Sequence, residues 1–512
     1  MSRFLAILLG LVTVLALAEP AFAARGRGGL EHLHFRYGPI HVHPGANQIQ
    51  FGSDMEKPSR DGYITRIAPN LKLPNGAVPP TYKLHLHHGV WLNLARRGIT
   101  APAFPQAFFA SGEEKTISQM PRPYGYFVSA ADPWLISYMI HDLTRRPFTV
   151  YITYDIDFVP AGPALARRMR PLTPIWMDVE NRRVYPVFDV LRGSGRNGRF
   201  TFPDDAQNPY GNGPKLNEWT SPYSGTLVAT SGHVHPGGLY DDLEVVRPGT
   251  TVARRRGGPI PGDVPGSVRI FRSRAHYFDP GGPISWDLAM TRSPAAWRVH
   301  IRRGDTLRIT TTYDSSRSSW YEAMGIMIAY MSVGNAGGVD PFTHAVATTG
   351  KITHGHLPEN NHYGGTAPRL ADASSLPGVS LPGNTVRIEN FEYGQGDLRA
   401  AGARRDPPVV TQGQSLTFLN ADGPPTAPFD SQISHSITAC RAPCNLTTGI
   451  SYPLADGLGG FDSGQLGFGP PGLTAFNNRQ TWQTPPDLQP GTYTYFCRIH
   501  PFMRGAFRVA PG

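Results

Sequence analysis

With 512 residues, hydrophobic side chains at 40% and aromatics at 11%, the chain can fill more than one core and divides into two to four domains of roughly 100–200 residues each. Charged residues at 17% fall below the ~25% of a typical soluble domain, which together with the apolar content excludes a wholly disordered chain or a coiled coil. The net charge of +10 is spread along the chain, with no basic block beyond Arg254-Arg255-Arg256, so no nucleic-acid partner is expected.

Residues 1–23 read as a secretory signal: Arg3 is the positive start, Phe4 to Ala18 the apolar stretch, and Ala21-Phe22-Ala23 an A-x-A cleavage site. The mature chain is expected to begin near Ala24, secreted or periplasmic. No later segment is long enough for the ~20 apolar residues of a membrane span. Strand-like alternation follows at Tyr82 to His87, Phe148 to Tyr154, Thr306 to Thr311 and Thr492 to Cys497. No long capped helix is apparent. With 57 glycines and 50 prolines among Val, Thr and Tyr runs, the fold class is all-β, sandwiches joined in series. Gly/Pro-rich stretches at Pro160 to Pro174 and Gly355 to Gly383 suggest domains at 24–165, 166–345 and 385–512, with a linker at 346–384.

The cysteines are Cys440, Cys444 and Cys497. The first two lie close enough to pair in an oxidising compartment, which leaves Cys497 as an odd thiol. Asn445-Leu446-Thr447 is a glycosylation sequon, without meaning in a bacterium.

That odd thiol opens Cys497-Arg498-Ile499-His500-Pro501-Phe502-Met503, directly after a strand, with His435 upstream. A thiolate, two imidazoles and a thioether form the soft-ligand set of a trigonal copper site with a weak axial methionine. The loop resembles that of amicyanin, and the strand before it resembles plastocyanin-like cupredoxins. The resemblance implies a Greek-key β-sandwich at 385–512 and a type 1 copper on His435, Cys497, His500 and Met503.

Further upstream, His233-Val234-His235 places two imidazoles on one face of a strand, able to share a metal. The neighbours His87 and His88 point to opposite faces unless a bulge or strand end turns one of them. The order of His87-His88, His141, His233-x-His235 and a methionine in the apolar run around Met324 resembles the copper type II monooxygenases that hydroxylate peptidylglycine and dopamine. It is also similar to stress-up-regulated nodulin-like proteins. The resemblance implies two tandem jelly-roll-like β-sandwiches carrying two further mononuclear coppers. One, on His87, His88 and His141, relays electrons. The other, on His233, His235 and Met324, activates O2 and makes these three the catalytic residues. A soft thioether there favours Cu(I), the state that reacts with O2. Ser231 and Gly232 stand where the peptide-amidating members carry an arginine, which argues against amidation.

His85 shares a face with His87 and can replace His88 as a ligand. His32, His34, His41 and His43, and likewise His354, His356 and His362, are further candidates for metal, with structural or surface roles favoured.

The expected function is an exported copper-dependent oxidoreductase that hydroxylates an unknown organic substrate with O2. Its tethered type 1 copper supplies electrons at high effective concentration, itself charged by an external donor. One alternative is a non-catalytic secreted copper-binding or electron-transfer protein. A multicopper oxidase is disfavoured because Phe496 and Arg498 flank Cys497 where a histidine would be needed. A histidine-brace polysaccharide monooxygenase is disfavoured because cleavage exposes Ala24.

Overall fold

The computed structural model describes residues 24–25 and 29–512 apart from 163, 184, 251–265, 279–281, 284, 317–319, 361–369, 425, 427–432, 441–459, 465, 469–478, 498 and 501. The expected signal segment 1–23, Cys444, Asn445 and His362 lie outside the described residues. Among those described, the chain is built from strands interrupted by 3-10 turns of three or four residues, and the protein is an all-β chain of several sheets.

The first block pairs two sheets. One runs Glu31–Val42, Phe148–Pro160, Gly62–Lys72 and Tyr124–Val128; the other runs Ile49–Gly52, Trp134–Asp142, Leu84–Arg97 and Pro105–Gly112. Strand alternation supplies the core: Val150, Ile152, Tyr154, Ile156 and Phe158 point inward from one strand and meet Trp91, Phe109 and Ile136 from the facing sheet. Each such side chain stabilises the sandwich by roughly 1.5–3 kcal/mol.

The second block is an 11-stranded sheet system that includes Thr173–Asp178, Gly225–His233, Gly238–Val246, Thr306–Asp314 and Ile326–Val333. Gly225–His233 is buried along its whole length. Leu227 faces the block's own core, while Val228 and Ala229 pack with Ile328 and Tyr330 against Met120 and Tyr124 of the first block. The two blocks therefore share an apolar interface, and the ends of their central strands meet at its edge. Arg170–Pro171 still pairs with Tyr124–Val128, and Lys351–Ile352 pairs with Leu288–Arg292. The first lies beyond the cut expected at 165, and the second inside the expected linker.

The third block has a three-stranded sheet of Thr385–Ile388, Thr417–Asn420 and Thr481–Gln483. Its four-stranded sheet comprises Val409–Thr411, Arg504–Ala510, Gly491–Phe496 and Thr438–Ala439. Val386 and Phe418 of one meet Tyr495, Phe507 and Val509 of the other in a common core.

Candidate metal centres

The C-terminal centre is local in origin. Gly491–Phe496 ends at Cys497, and the chain turns back into Arg504–Ala510 through a loop closed by Met503 N–H donating to the His500 carbonyl at 2.9 Å and Cys497 N–H to the Met503 carbonyl at 3.2 Å. This folds Cys497 and His500 onto His435, and all three are fully buried. The Cys497 Sγ lies 3.9 Å from His435 Nδ1 and 3.7 Å from His500 Nδ1, and the two nitrogens are 3.3 Å apart. A point equidistant from the three donors is about 2.1 Å from each, close to a first-row metal–nitrogen bond length. Met503, fully buried, belongs to the same core cluster as Cys497.

The surroundings orient these donors. His435 holds Asp422 Oδ2 through Nε2 at 2.9 Å, leaving Nδ1 for the centre. Two amides, of Ser436 and His500, each donate to Cys497 Sγ at 3.3 Å. Burial alone would raise the Cys497 thiol, but His435 and His500 outweigh it and hold the sulfur well below its ordinary range. Burial likewise disfavours a charged His435, yet Asp422 and the thiolate push it up to about 9.

The second assembly lies at the edge of the interface between the first two blocks. In Leu84–Arg97, His85 pairs directly across from His141 of Trp134–Asp142, and Leu86 across from Ile140; the next partner of Met139 is His88. His87 is the extra residue of a β-bulge, the device that lets neighbouring histidines escape strict alternation. From the second block, His233 closes Gly225–His233, and His235 stands in the turn before Gly238–Val246. Ring centroids link the set: His85 to His141 5.2 Å, His85 to His87 5.8 Å, His87 to His88 5.1 Å, His87 to His235 4.1 Å, and His233 to His235 5.0 Å.

All six imidazoles carry a buried ring nitrogen without a hydrogen-bond partner: Nε2 of His85, His233 and His235, and Nδ1 of His87, His88 and His141. Such groups are costly unless something fills them. In three rings the other nitrogen is tied outward. His85 Nδ1–H donates to the Thr81 carbonyl at 2.5 Å, His141 Nε2–H to the Ile499 carbonyl at 3.0 Å, and His233 Nδ1 meets Glu114 Oε2 at 3.0 Å. A tied outer nitrogen fixes the tautomer and aims the other lone pair inward, as around metal ligands. Burial, reinforced by neighbouring imidazoles, lowers His87, His141 and His235 well below the ordinary histidine range. His85 falls to about 4 and His88 to about 3, in both cases chiefly through burial. Neutral imidazoles are the form that binds a metal. His233 differs: burial opposes its charge, but Glu114 and Glu113 raise it.

Two sets have donors within 4.8 Å of one another: His85, His87 and His141, and His87, His88 and His235. The first is the alternative in which His85 replaces His88; the second was not expected. His85 takes the place given to His88 beside His141, His88 joins His235, and His233 belongs to neither close set. Met324, expected within an apolar strand, sits in the break between Trp320–Ala323 and Ile326–Val333. Met327 and Met331 fill the second block's core, whereas Met324 packs with Ile49, Met139, Tyr185 and Ile326. The Tyr313 hydroxyl ties Met324 to the histidine turn: it donates to the Met324 carbonyl at 2.7 Å and accepts from the His235 amide at 3.1 Å.

A cavity of about 430 Å3 opens beside this assembly, lined by His88, His233, Met324, Tyr185, Trp176 and Ile326 among mainly apolar residues. On the opposite flank Trp286 lies 4.5 Å from His85 and 5.8 Å from His141. Two carboxylates that the sequence motifs do not single out stand behind the imidazoles. Glu113 Oε2 is 3.5 Å from His87 Nδ1, and burial and the adjacent Glu114 raise Glu113 well above the carboxylate range. Glu114, equally buried, is held low by His233 and by the Gly112 amide. Two adjacent glutamates ending the apolar strand Pro105–Gly112 were the available signal; for Trp286 there was none.

The third block docks on this assembly. His141 donates to the Ile499 carbonyl, two residues past Cys497, and His500 Nε2–H donates to the Gly45 carbonyl of the first block at 3.1 Å. Arg145 adds a hydrogen bond to the Phe391 carbonyl at 3.0 Å. The remaining histidine groups have other partners: His32 and His34 pair with Asp157 and Asp155 at 2.8 Å on an exposed face, and His356 pairs with Asp287 at 2.7 Å. Cys440 is disulfide-bonded, and Cys497 is free.

The chain is thus an all-β protein whose described residues include three His or His/Cys groups able to hold a metal ion. No known protein family matches it, and neither does any curated protein. Among solved structures it is similar to a copper-containing nitrite reductase from Thermus scotoductus SA-01, at 13% identity and a TM-score of 0.17, with 55% of this chain and 54% of that one covered. It therefore spans about half the length of that enzyme. It is also similar to the infectious bursal disease virus VP2 subviral particle, at 10% identity and a TM-score of 0.16, with 62% and 73% covered. Neither likeness carries a functional argument.

Proposed function

We propose that the protein is an exported copper-dependent oxidoreductase in which the C-terminal centre passes electrons to the six-histidine assembly, where O2 is reduced as an organic substrate is hydroxylated. The observation that carries this reading is the hydrogen bond from His141 to the Ile499 carbonyl, which joins the assembly to the loop that presents Cys497 and His500. His435, Cys497 and His500, with Met503 beside them, would hold a type 1 copper, and the interface histidines would hold copper that cycles between Cu(I) and Cu(II). Bound copper supplies one-electron transfer and O2 chemistry; the chain supplies the rest. Asp422 and the two amides on Cys497 fix the donor set, so little rearrangement accompanies a change of charge. The cavity beside His88, His233 and Met324 offers an apolar substrate a seat next to the O2-reducing side. Hydroxylation consumes two electrons and two protons per O2, releasing one water, and an external donor recharges the C-terminal centre.

The test uses the full-length copper-loaded chain, reduced without oxygen and then mixed with O2. In the wild type the blue band should return rapidly, and in His141→Ala slowly. Equal rates would contradict the reading. The oxidase alternative is favoured by one observation, the contiguity of the imidazoles. It is separated by O2 uptake with reductant alone: sustained turnover without any organic substrate supports an oxidase.

A further inference from the structure

The imidazoles that sequence order divides into two separate sets adjoin in space, and one of them belongs to both. We infer that His85, His87, His88, His141 and His235 form one paired copper centre. One ion sits on His85, His87 and His141, a second on His87, His88 and His235, and His87 lies between them. The inference rests on the copper reading above and departs from it in making the two ions a single coupled unit.

Three observations carry it. First, both donor sets are compact, with their donor atoms within 4.8 Å of one another, and every member has a buried ring nitrogen without a partner. Ions bonded at ~2 Å to the two nitrogens of one ring, His87 losing its N–H proton to solvent to become an imidazolate as the second ion binds, lie on the order of 6 Å apart. Second, the bulge gives His87 its place. As the residue left unpaired between Leu86 and His88, it is free to stand between His85 on one side and His88 on the other. His235 approaches from the facing block at 4.1 Å. Third, the two sides differ. The His85 and His141 side abuts Trp286 and the C-terminal loop, whereas His88 lines the apolar cavity. An electron arriving through His141 therefore enters one half of a pair whose other half faces the substrate seat. Glu113 stands behind the shared ring, 3.5 Å from His87 Nδ1, with both carboxylate oxygens buried and free of hydrogen bonds.

The test is copper analysis and electron paramagnetic resonance of the full-length chain loaded with Cu(II). Three coppers per chain are expected, with only the C-terminal one giving a full isolated signal; the other two should couple, with lost intensity or a half-field transition. His87→Gln, close in volume, should fall to one copper while keeping the blue band. His85→Gln or His88→Gln should fall to two, the remaining interface copper now giving an uncoupled signal. Two interface coppers with full, uncoupled spins, or an interface copper retained in His87→Gln, overturn the pairing and leave the copper reading standing. A wild type holding copper only at the C-terminal centre overturns both.

Discussion

Gly45 of the first sandwich packs against His500 and Phe391 of the C-terminal block, and an added methyl group there should uncouple them. Its φ is +70°, and a Cβ would lie 2.4 Å from Phe391 Cε1 and 2.7 Å from His500 Nε2. The left-handed conformation costs a non-glycine residue about 1–2 kcal/mol. Relieving the overlap also requires the blocks to part, which breaks the 3.1 Å bond from His500 to the Gly45 carbonyl, worth about 1 kcal/mol. The backbone cost falls on docked and undocked states alike, so the lost bond and the overlap, overpacking typically costing about 1–3 kcal/mol, are what weaken docking, by about 2 kcal/mol or on the order of thirtyfold in the docked population. Gly76→Ala is the control: its φ is +82°, but nothing lies within 4 Å of the added carbon, so it isolates the backbone cost. In stopped-flow mixing of reduced protein with O2, Gly45→Ala should keep the position of the blue band and slow its return by tenfold or more, while Gly76→Ala should not. Unaltered return in Gly45→Ala would refute the reasoning.

Asp422→Asn removes the carboxylate behind His435 and should weaken copper binding at the C-terminal centre by about 10–100-fold, read by competition with a chelator, with the interface coppers unaffected. Met324→Ile alters the wall of the cavity and should raise the KM for the organic substrate while leaving copper content and the blue colour unchanged; loss of an interface copper would show that the thioether is a ligand. Burial raises Asp178 to about 8. The unfolded chain therefore binds fewer protons than the folded one from about pH 4 to 8, and stability falls as pH rises across that window. Asp178→Asn should raise the melting temperature of the metal-free protein at pH 8 but not at pH 4. The gain is bounded at about 5 kcal/mol, because stability falls by at most about 1.4 kcal/mol for each pH step across the window; the same change at both pH values would contradict it.

The C-terminal centre was legible because three of its four residues lie within one loop, and strand geometry alone carries Cys497 to the tight turn that returns His500. The all-β class was legible for a similar reason: strand alternation and turn residues are local. The interface assembly was legible only as an inventory. Its grouping depends on a bulge at His87, which adjacent histidines require but do not locate, and on the docking of Gly225–His233 against the first sandwich, a long-range event without local signature. That is why the order of the motifs favours His88 over His85. Met324 illustrates the same limit: an apolar run containing Met324, Met327 and Met331 reads as one strand, and only the Tyr313 hydroxyl bonded to its backbone shows that the first methionine stands in a break.

The most direct test of copper in these histidine and cysteine groups is a crystal of the copper-loaded full-length protein measured at the copper absorption edge. Anomalous density is expected at the point equidistant from His435 Nδ1, Cys497 Sγ and His500 Nδ1, and again among His85, His87, His88, His141 and His235. Anomalous density at the first position alone, with the interface imidazoles free of metal, would contradict the proposed oxidoreductase.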